Sequence, residues 1–227
     1  MVALGDTLLG RGPEPRVKIC GITNAADAKL AVDAGADALG FNFYRLSPRY
    51  IAPEEAGRII RRLPRGVVAV GVFVDEPVDS VRRIAGAAGL DAAQLHGRER
   101  PASVRQVAAI RPAVRVIKVF RVRRGFSVAR LASYPEVAAF LLDGFRSGFW
   151  GGTGARFDWE VARRAKRYGR IVLAGGLRPE NVAEALERVR PFAIDVSSGV
   201  EVRPGKKDPA KLKALMREVE RIRRRRR

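Results

Sequence analysis

The chain of 227 residues contains one cysteine, Cys20, and one histidine, His96. A single cysteine excludes a disulfide within the chain, and these two residues alone cannot form the Cys/His clusters that bind zinc. The sequence also lacks the run of about 18 consecutive apolar residues that would predict a membrane span. Hydrophobic residues nevertheless make up 47% of the chain, enough for a sizeable core. We therefore expect a globular protein with no metal site and no membrane partner.

Acidic residues are scarce relative to basic ones, with 24 Asp and Glu against 44 Lys and Arg, and the formal net charge is +20. The chain ends in five arginines, Arg223 to Arg227. Such a run can bind nucleic acid or an anionic membrane, or it can be a solvated terminus. No aromatic residues interleave the run to stack on bases, so we favour the solvated terminus and expect no specific nucleic-acid partner.

The N-terminal segment MVALGDTLLGRGPEPR lacks the basic start and the unbroken apolar run of a signal peptide. We therefore expect a cytoplasmic protein. A single sequence does not distinguish a monomer from a homodimer, and a homodimer stays open.

Eight short apolar segments alternate with amphipathic helical segments. Their near-continuous apolar character is typical of parallel strands buried on both faces. The segments are VKIC (17–20), ALGFNF (38–43), VVAVGVF (67–73), AAQLH (92–96), VRVIKVF (114–120), AAFLLD (138–143), IVLAG (171–175) and FAIDVS (192–197). Eight exceeds the roughly five or six strands of a doubly wound open sheet. We therefore predict an α/β protein, a single (β/α)₈ TIM barrel with a parallel eight-stranded core.

The predicted barrel domain spans residues 16–222 and follows a flexible lead over residues 1–15. A basic tail over residues 223–227 is predicted to lie beyond the last helix. The helix after the fifth strand is predicted least clearly, because residues 121–134 (RVRRGFSVARLASY) show no clean periodicity.

Glycine-rich segments follow the last three predicted strands, at the end of the barrel where the active site of this fold lies. They are Gly151–Gly154, Gly175–Gly176 and Ser197–Gly199. Glycine lets a backbone approach a ligand closely, and exposed N–H groups at the start of a helix bind phosphate. Each segment alone could be a tight turn, but the three together predict a phosphate site.

Three other residues lie at the same predicted end: Cys20 after the first strand, Asp143 after the sixth and Arg49 in the loop after the second. A cysteine at a strand end is more often a small buried side chain than a base, and an aspartate before glycine is commonly a turn residue. Arg49 is either solvated or binds a substrate carboxylate through bidentate hydrogen bonds. Spacing alone leaves these alternatives open.

Seven blocks between about residues 16 and 215 resemble, in order, the phosphoribosylanthranilate isomerase family. They are VKICGIT (17–23), GFNFY with SPRYI (40–51), QLHG (94–97), LLDG (141–144), GGTGARFDW (151–159), LAGGLRPENV (173–182) and RPFAIDVSSGVEVRPGKKD (190–208). The resemblance implies a cofactor-free (β/α)₈ enzyme of tryptophan biosynthesis. It would convert N-(5-phosphoribosyl)anthranilate to the corresponding 1-deoxyribulose phosphate by an Amadori rearrangement. The sequence departs from the family in its lead, in its arginine tail and at Gly144, where a larger residue is expected and the placement of Asp143 is loosened.

The resemblance also implies the role of each site residue. Cys20 matches the general base that takes the C2 proton, Asp143 the general acid that protonates the ring oxygen, and Arg49 the arginine that holds the anthranilate carboxylate. His96 is expected only to line the pocket. The residues that match the family's phosphate contacts, with the loop near them, are Gly175, Gly176, Ser198, Gly199, Gly152 and Gly154. The expected partner is a phosphorylated small-molecule substrate, with no cofactor and no metal.

Three other functions compete with this interpretation. A ribulose-phosphate epimerase would need a metal site with more than one histidine, and an indole-glycerol-phosphate synthase would need lysines at strand ends, whereas Lys18 and Lys118 lie inside predicted strands. A non-catalytic barrel that binds nucleic acid through its basic tail would lose affinity steeply with salt.

Overall fold

The computed structural model describes residues 15–110, 114–144 and 157–226. Eight parallel strands close into a barrel in sequence order, and the last strand pairs with the first. The strands are β1 (Arg16–Cys20), β2 (Ala38–Asn42), β3 (Val68–Phe73), β4 (Ala92–Leu95), β5 (Arg115–Val122), β6 (Ala139–Gly144), β7 (Ile171–Leu173) and β8 (Ala193–Val196). Each predicted apolar segment overlaps one of these strands, and the predicted (β/α)₈ barrel is confirmed.

Helices cover the outside of the barrel. They are α1 (Ala25–Asp33), α2 (Pro53–Ile60), α3 (Val78–Ala88), α4 (Pro101–Ala108), α5 (Trp159–Ala165), α6 (Val182–Val189) and α7 (Pro209–Arg225). Capping residues set several of their starts: the Asn24 side chain accepts a hydrogen bond from the Asp27 N–H, and Asp208 accepts from the N–H groups of Ala210 and Lys211. The weakly predicted fifth helix is a 3₁₀ helix, Val128–Ser133, and Pro135 follows shortly after it.

Alternation along the strands divides the core into two layers. Side chains such as Val70, Val119 and Leu141 point inward and pack together in the barrel, whereas their neighbours pack against the helices. The same alternation places the side chains of Cys20 and Asp143 on the inner side, at the carboxyl ends of β1 and β6. These strands are not neighbours, because β7 and β8 lie between them.

The C-terminal arginines are placed differently from the prediction. Helix α7 continues to Arg225, because its apolar stripe extends as far as the buried Ile222. Arg223 donates to the Pro15 carbonyl and lies 2.7 Å from the Asp37 carboxylate. At least Arg223 is therefore part of the folded barrel, and the expectation that the run lies beyond the last helix is wrong. The other predicted domain limits stay predictions.

A short antiparallel pair of strands, β9 (Glu201–Arg203) and β10 (Lys206–Lys207), follows β8 and precedes α7. Among the described residues, no helix is long and apolar enough to cross a membrane.

Candidate active site

Cys20 lies in a charged environment at the carboxyl end of β1. Lys18, two residues earlier on the same face of the strand, is fully buried, and its Nζ lies 2.8 Å from Oδ1 of Asp195 on β8. Burial raises the pKa of the Cys20 thiol above its usual value, while the charge of Lys18 acts in the opposite direction without offsetting it. Cys20 is therefore no simple core side chain, because a buried ion pair lies directly beside it.

Arg49, Glu201 and Lys207 form a second charged group, here called the Glu201 cluster. Arg49 donates to the Glu201 carboxylate from Nε and from Nη2, the latter at 2.7 Å. Lys207 Nζ donates to Glu201 at 2.8 Å and also to the carbonyl oxygen of Cys20. Burial acts to raise the pKa of Glu201, but the hydrogen bond from Arg49 and the charge of Lys207 outweigh it, and the pKa lies below its usual range.

The Glu201 cluster holds Arg49 against the loop that follows Cys20. The loop after β1 is tightly packed there, since a Cβ on Gly21 would lie 2.6 Å from Cδ of Arg49, and Gly21 has φ of +81°. The Nη1 group of Arg49 makes no hydrogen bond with any described residue. Arg49 can therefore bind an anion through Nη1 while Glu201 holds its other nitrogens.

Asp143 is buried at the end of β6, close to the single histidine. Oδ2 of Asp143 lies 3.6 Å from Nε2 of His96, a nitrogen with no hydrogen-bond partner among the described residues. The other ring nitrogen, Nδ1, lies 3.3 Å from the Gln94 amide nitrogen. Gly144 remains paired with Val122 of β5, so the small residue at this position does not release the strand. His96 and Asp143 therefore lie next to each other, and the expectation that His96 lines a substrate pocket stays a prediction.

The loops after β7 and β8 present unbonded backbone N–H groups. Gly175 and Gly176 have φ of 86° and 64°, and the Asn181 side chain donates to the Gly176 carbonyl at 2.8 Å. A 3₁₀ helix starts at Ser198, and Gly199 packs so closely on the Leu177 carbonyl that a Cβ would collide with it. Among the backbone N–H groups of these loops, those of Gly175, Gly176, Ser198 and Gly199 donate no hydrogen bond to a described residue. Such a set suits a phosphate. Gly152 and Gly154, predicted to lie nearby, are outside the described residues.

The comparisons with known proteins agree with this geometry. A family model described as N-(5'phosphoribosyl)anthranilate (PRA) isomerase matches residues 17–218. The chain belongs to this family. The resemblance carried by the seven sequence blocks is thus confirmed, whereas the roles that it implies for Cys20 and Asp143 stay predictions.

Relatives of the family cover nearly the whole chain. An N-(5'-phosphoribosyl)anthranilate isomerase from Citrifermentans bemidjiense is 56% identical over 207 residues, which are 91% of this chain and 98% of that protein. A solved phosphoribosylanthranilate isomerase in complex with reduced 1-(o-carboxyphenylamino)-1-deoxyribulose 5-phosphate is 43% identical, with a TM-score of 0.81 over 91% of this chain and 99% of that one. A Thermotoga maritima isomerase, described as monomers generated from a dimeric protein, is 42% identical with a TM-score of 0.80 and the same coverage.

Four charged residues of the site were not among those that the sequence predicts: Lys18, Asp195, Glu201 and Lys207. A sequence signal existed for Lys18 and Asp195, since each interrupts an otherwise apolar strand of the isomerase barrel. Glu201 and Lys207 lie in the block that carries the family resemblance, but no pattern indicated that they pair with each other or with Arg49.

Proposed function

We propose that the chain catalyses the isomerisation of N-(5-phosphoribosyl)anthranilate to 1-(2-carboxyphenylamino)-1-deoxyribulose 5-phosphate. The observation that carries the proposal is the placement of Cys20 and Asp143. Both side chains face inward at the carboxyl end of the barrel, on strands separated by two others. A sugar can lie between them with an acid on one side and a base on the other.

In the proposed mechanism Asp143 acts first. It protonates the furanose ring oxygen, the C1–O bond breaks, and the anthranilate nitrogen lone pair forms a Schiff base with C1. Cys20, as thiolate, then removes the C2 proton, and the electrons of the C–H bond form the C1–C2 double bond of an enolamine. Return of a proton to C1 together with loss of the C2 hydroxyl proton gives the ketone, so the reaction needs no external oxidant or reductant.

Substrate binding is proposed at two places. The N–H groups at Gly175, Gly176, Ser198 and Gly199 bind the phosphate, with Gly152 and Gly154 as further contacts. Arg49 binds the anthranilate carboxylate through its free Nη1, and His96 lines the pocket beside Asp143. The high net positive charge of the chain favours the approach of such an anionic substrate.

The test is incubation of the pure protein with phosphoribosylanthranilate, followed by loss of the substrate's fluorescence. Cys20→Ser keeps the shape of the base but raises its pKa, so kcat should fall by about 10²–10⁴ with little change in KM. Asp143→Asn cannot donate an acidic proton and should lose a similar factor. Wild-type turnover in either folded variant would disprove the assigned roles, and no turnover by the wild-type protein would disprove the function.

We also propose a homodimer, supported by the description of the Thermotoga maritima relative as dimeric. Analytical ultracentrifugation across a range of protein concentrations tests it, and a single monomeric species would contradict it. A cytoplasmic location stays an expectation from the sequence.

A further inference from the structure

Lys18 is the least expected side chain in the barrel. It lies in β1 with none of its side chain exposed, and lysine is almost never fully buried unless it is paired. Barrel interiors of this fold are usually filled by branched apolar residues, and a buried ion pair generally stabilises a fold no better than apolar residues of the same volume. The pair of Lys18 with Asp195 therefore calls for an explanation other than stability.

The position of Lys18 relative to Cys20 supplies one. The two residues are neighbours on the same face of β1, and Gly40 of β2 lies opposite Cys20. A Cβ on Gly40 would lie 2.7 Å from Sγ of Cys20 and 3.0 Å from Nζ of Lys18. The thiol and the ammonium thus both border the space that the missing side chain leaves open.

We propose that Lys18 is a positioning residue for Cys20, whose thiolate it stabilises by its charge while Asp195 holds the ammonium in place. The inference rests on the proposed function, in which the Cys20 thiolate is the base. It adds that the barrel supplies the cation that keeps this base available in an enclosed interior, where burial alone would favour the protonated thiol.

The other charged groups near Cys20 do not replace Lys18. Asp195 of β8 acts in the opposite direction, since its negative charge raises the pKa of Cys20. Lys207 of β10 lowers that pKa, but less than Lys18 does, and its Nζ already donates to the Glu201 carboxylate and to the Cys20 carbonyl oxygen. Among these groups, Lys18 is therefore the one whose removal should change the pKa of the Cys20 thiol most.

The experiment uses the fact that Cys20 is the only cysteine, so that every thiol signal reports on it. The rate of alkylation by iodoacetamide is measured against pH for the wild type and for Lys18→Met, which keeps the length of the side chain without its charge. An opposite charge within about 4–6 Å of a titrating group shifts its pKa by about 1–3 units. The midpoint of the profile should therefore rise, and the rate at fixed neutral pH should fall about tenfold or more. The pH profile of kcat should rise in parallel.

Lys118→Met is the matched control. Lys118 is also a buried strand lysine with a carboxylate partner, Glu99 at 2.6 Å, but it lies on β5 and does not approach Cys20. Its removal should leave the alkylation midpoint unchanged. Lys18→Arg keeps a positive charge at this position, so its alkylation midpoint should lie below that of Lys18→Met and closer to that of the wild type.

A second variant keeps the proposal testable if Lys18→Met does not fold. Lys18→Met with Asp195→Asn removes both charges, and its midpoint should lie between those of the wild type and Lys18→Met, because the Lys18 charge acts on Cys20 more strongly than that of Asp195. An unchanged midpoint in every folded Lys18 variant would overturn this inference. Failure of the wild type to convert phosphoribosylanthranilate would instead overturn the proposed function, since alkylation requires no substrate.

Discussion

Replacing Glu201 by glutamine tests whether the Glu201 cluster holds this side of the barrel together. The substitution keeps the size of the side chain and removes one charge. It leaves the guanidinium of Arg49 and the ammonium of Lys207 next to each other without their common partner. Only 3% of the Glu201 side chain and 12% of the Arg49 side chain are exposed, so water can do little to replace the lost carboxylate as a partner of the Arg49 charge.

The magnitude follows from this burial. Removing one partner of a buried ion pair costs about 3–5 kcal/mol, because the remaining charge is left uncompensated. For a chain of this size, such a loss lowers Tm by roughly 6–20 °C. An exposed pair contributes about 1 kcal/mol or less. Glu184→Gln, which breaks the exposed pair of Glu184 with Arg188, is therefore the matched control and should change stability little.

The assay is equilibrium unfolding in urea, followed by circular dichroism, for the wild type and both variants. The pH dependence gives an independent check. The pKa of Glu201 in the fold lies below its usual value, so ionised Glu201 stabilises the folded state at pH values above the unfolded pKa of about 4.3. That stabilisation is lost as the pH falls through the lower folded pKa, and the gap between the wild type and Glu201→Gln should close in acid. A loss no larger than that of Glu184→Gln at neutral pH would refute the reasoning.

Three further changes test the binding groups and the C-terminal helix. Arg49→Ala should raise KM for phosphoribosylanthranilate about ten- to a hundredfold, as expected for a charge-assisted contact of about 1.5–3 kcal/mol; an equal loss with an analogue lacking the carboxylate would contradict its role. Inorganic phosphate should protect Cys20 from alkylation, and Gly199→Ala should weaken this protection because its Cβ displaces the loops after β7 and β8. Unchanged protection in the variant would exclude this phosphate site. Deleting residues 221–227 should lower the free energy of unfolding, because Arg223 loses Asp37, but should leave kcat of the folded protein unchanged; equal stability on urea unfolding would contradict the packing of the helix end.

The fold was predictable because its signals are local and repeated. Most of the eight segments, such as residues 67–73, are nearly continuously apolar and are bounded by helix signals, so they could be identified without knowledge of the tertiary structure. The prediction was weakest at residues 121–134, where periodicity is poor, and the structure has a 3₁₀ helix there. The arginine run is interpreted as a solvated terminus because of its charge and because no aromatic residues interleave it. That reading missed the apolar stripe of α7, which ends at Ile222 and carries Arg223 back to the barrel.

The candidate site was predictable only as separate residues. Cys20, Asp143 and Arg49 were found because they end strands or follow them, a property that can be read from position in the chain. Their roles came from the family resemblance. Pairings could not be read in this way: Arg49 and Glu201 lie 152 residues apart and meet only when the loop after β2 approaches the segment after β8.

The contacts of Lys18 show both what the sequence predicts and what only the folded barrel determines. That Lys18 and Cys20 share a face follows from strand alternation and could be read from the sequence. That Asp195, 177 residues away, neutralises Lys18 depends on the register in which β8 closes on β1, where Lys18 lies opposite Asp195. No local pattern fixes that register. A lysine inside an otherwise apolar barrel strand is nevertheless a usable signal, because its burial requires a partner and the inner face of a barrel offers one only across neighbouring strands. Lys18 thus points to the site, whereas Lys118 of β5, which pairs with Glu99 away from Cys20, shows that not every charged strand residue does.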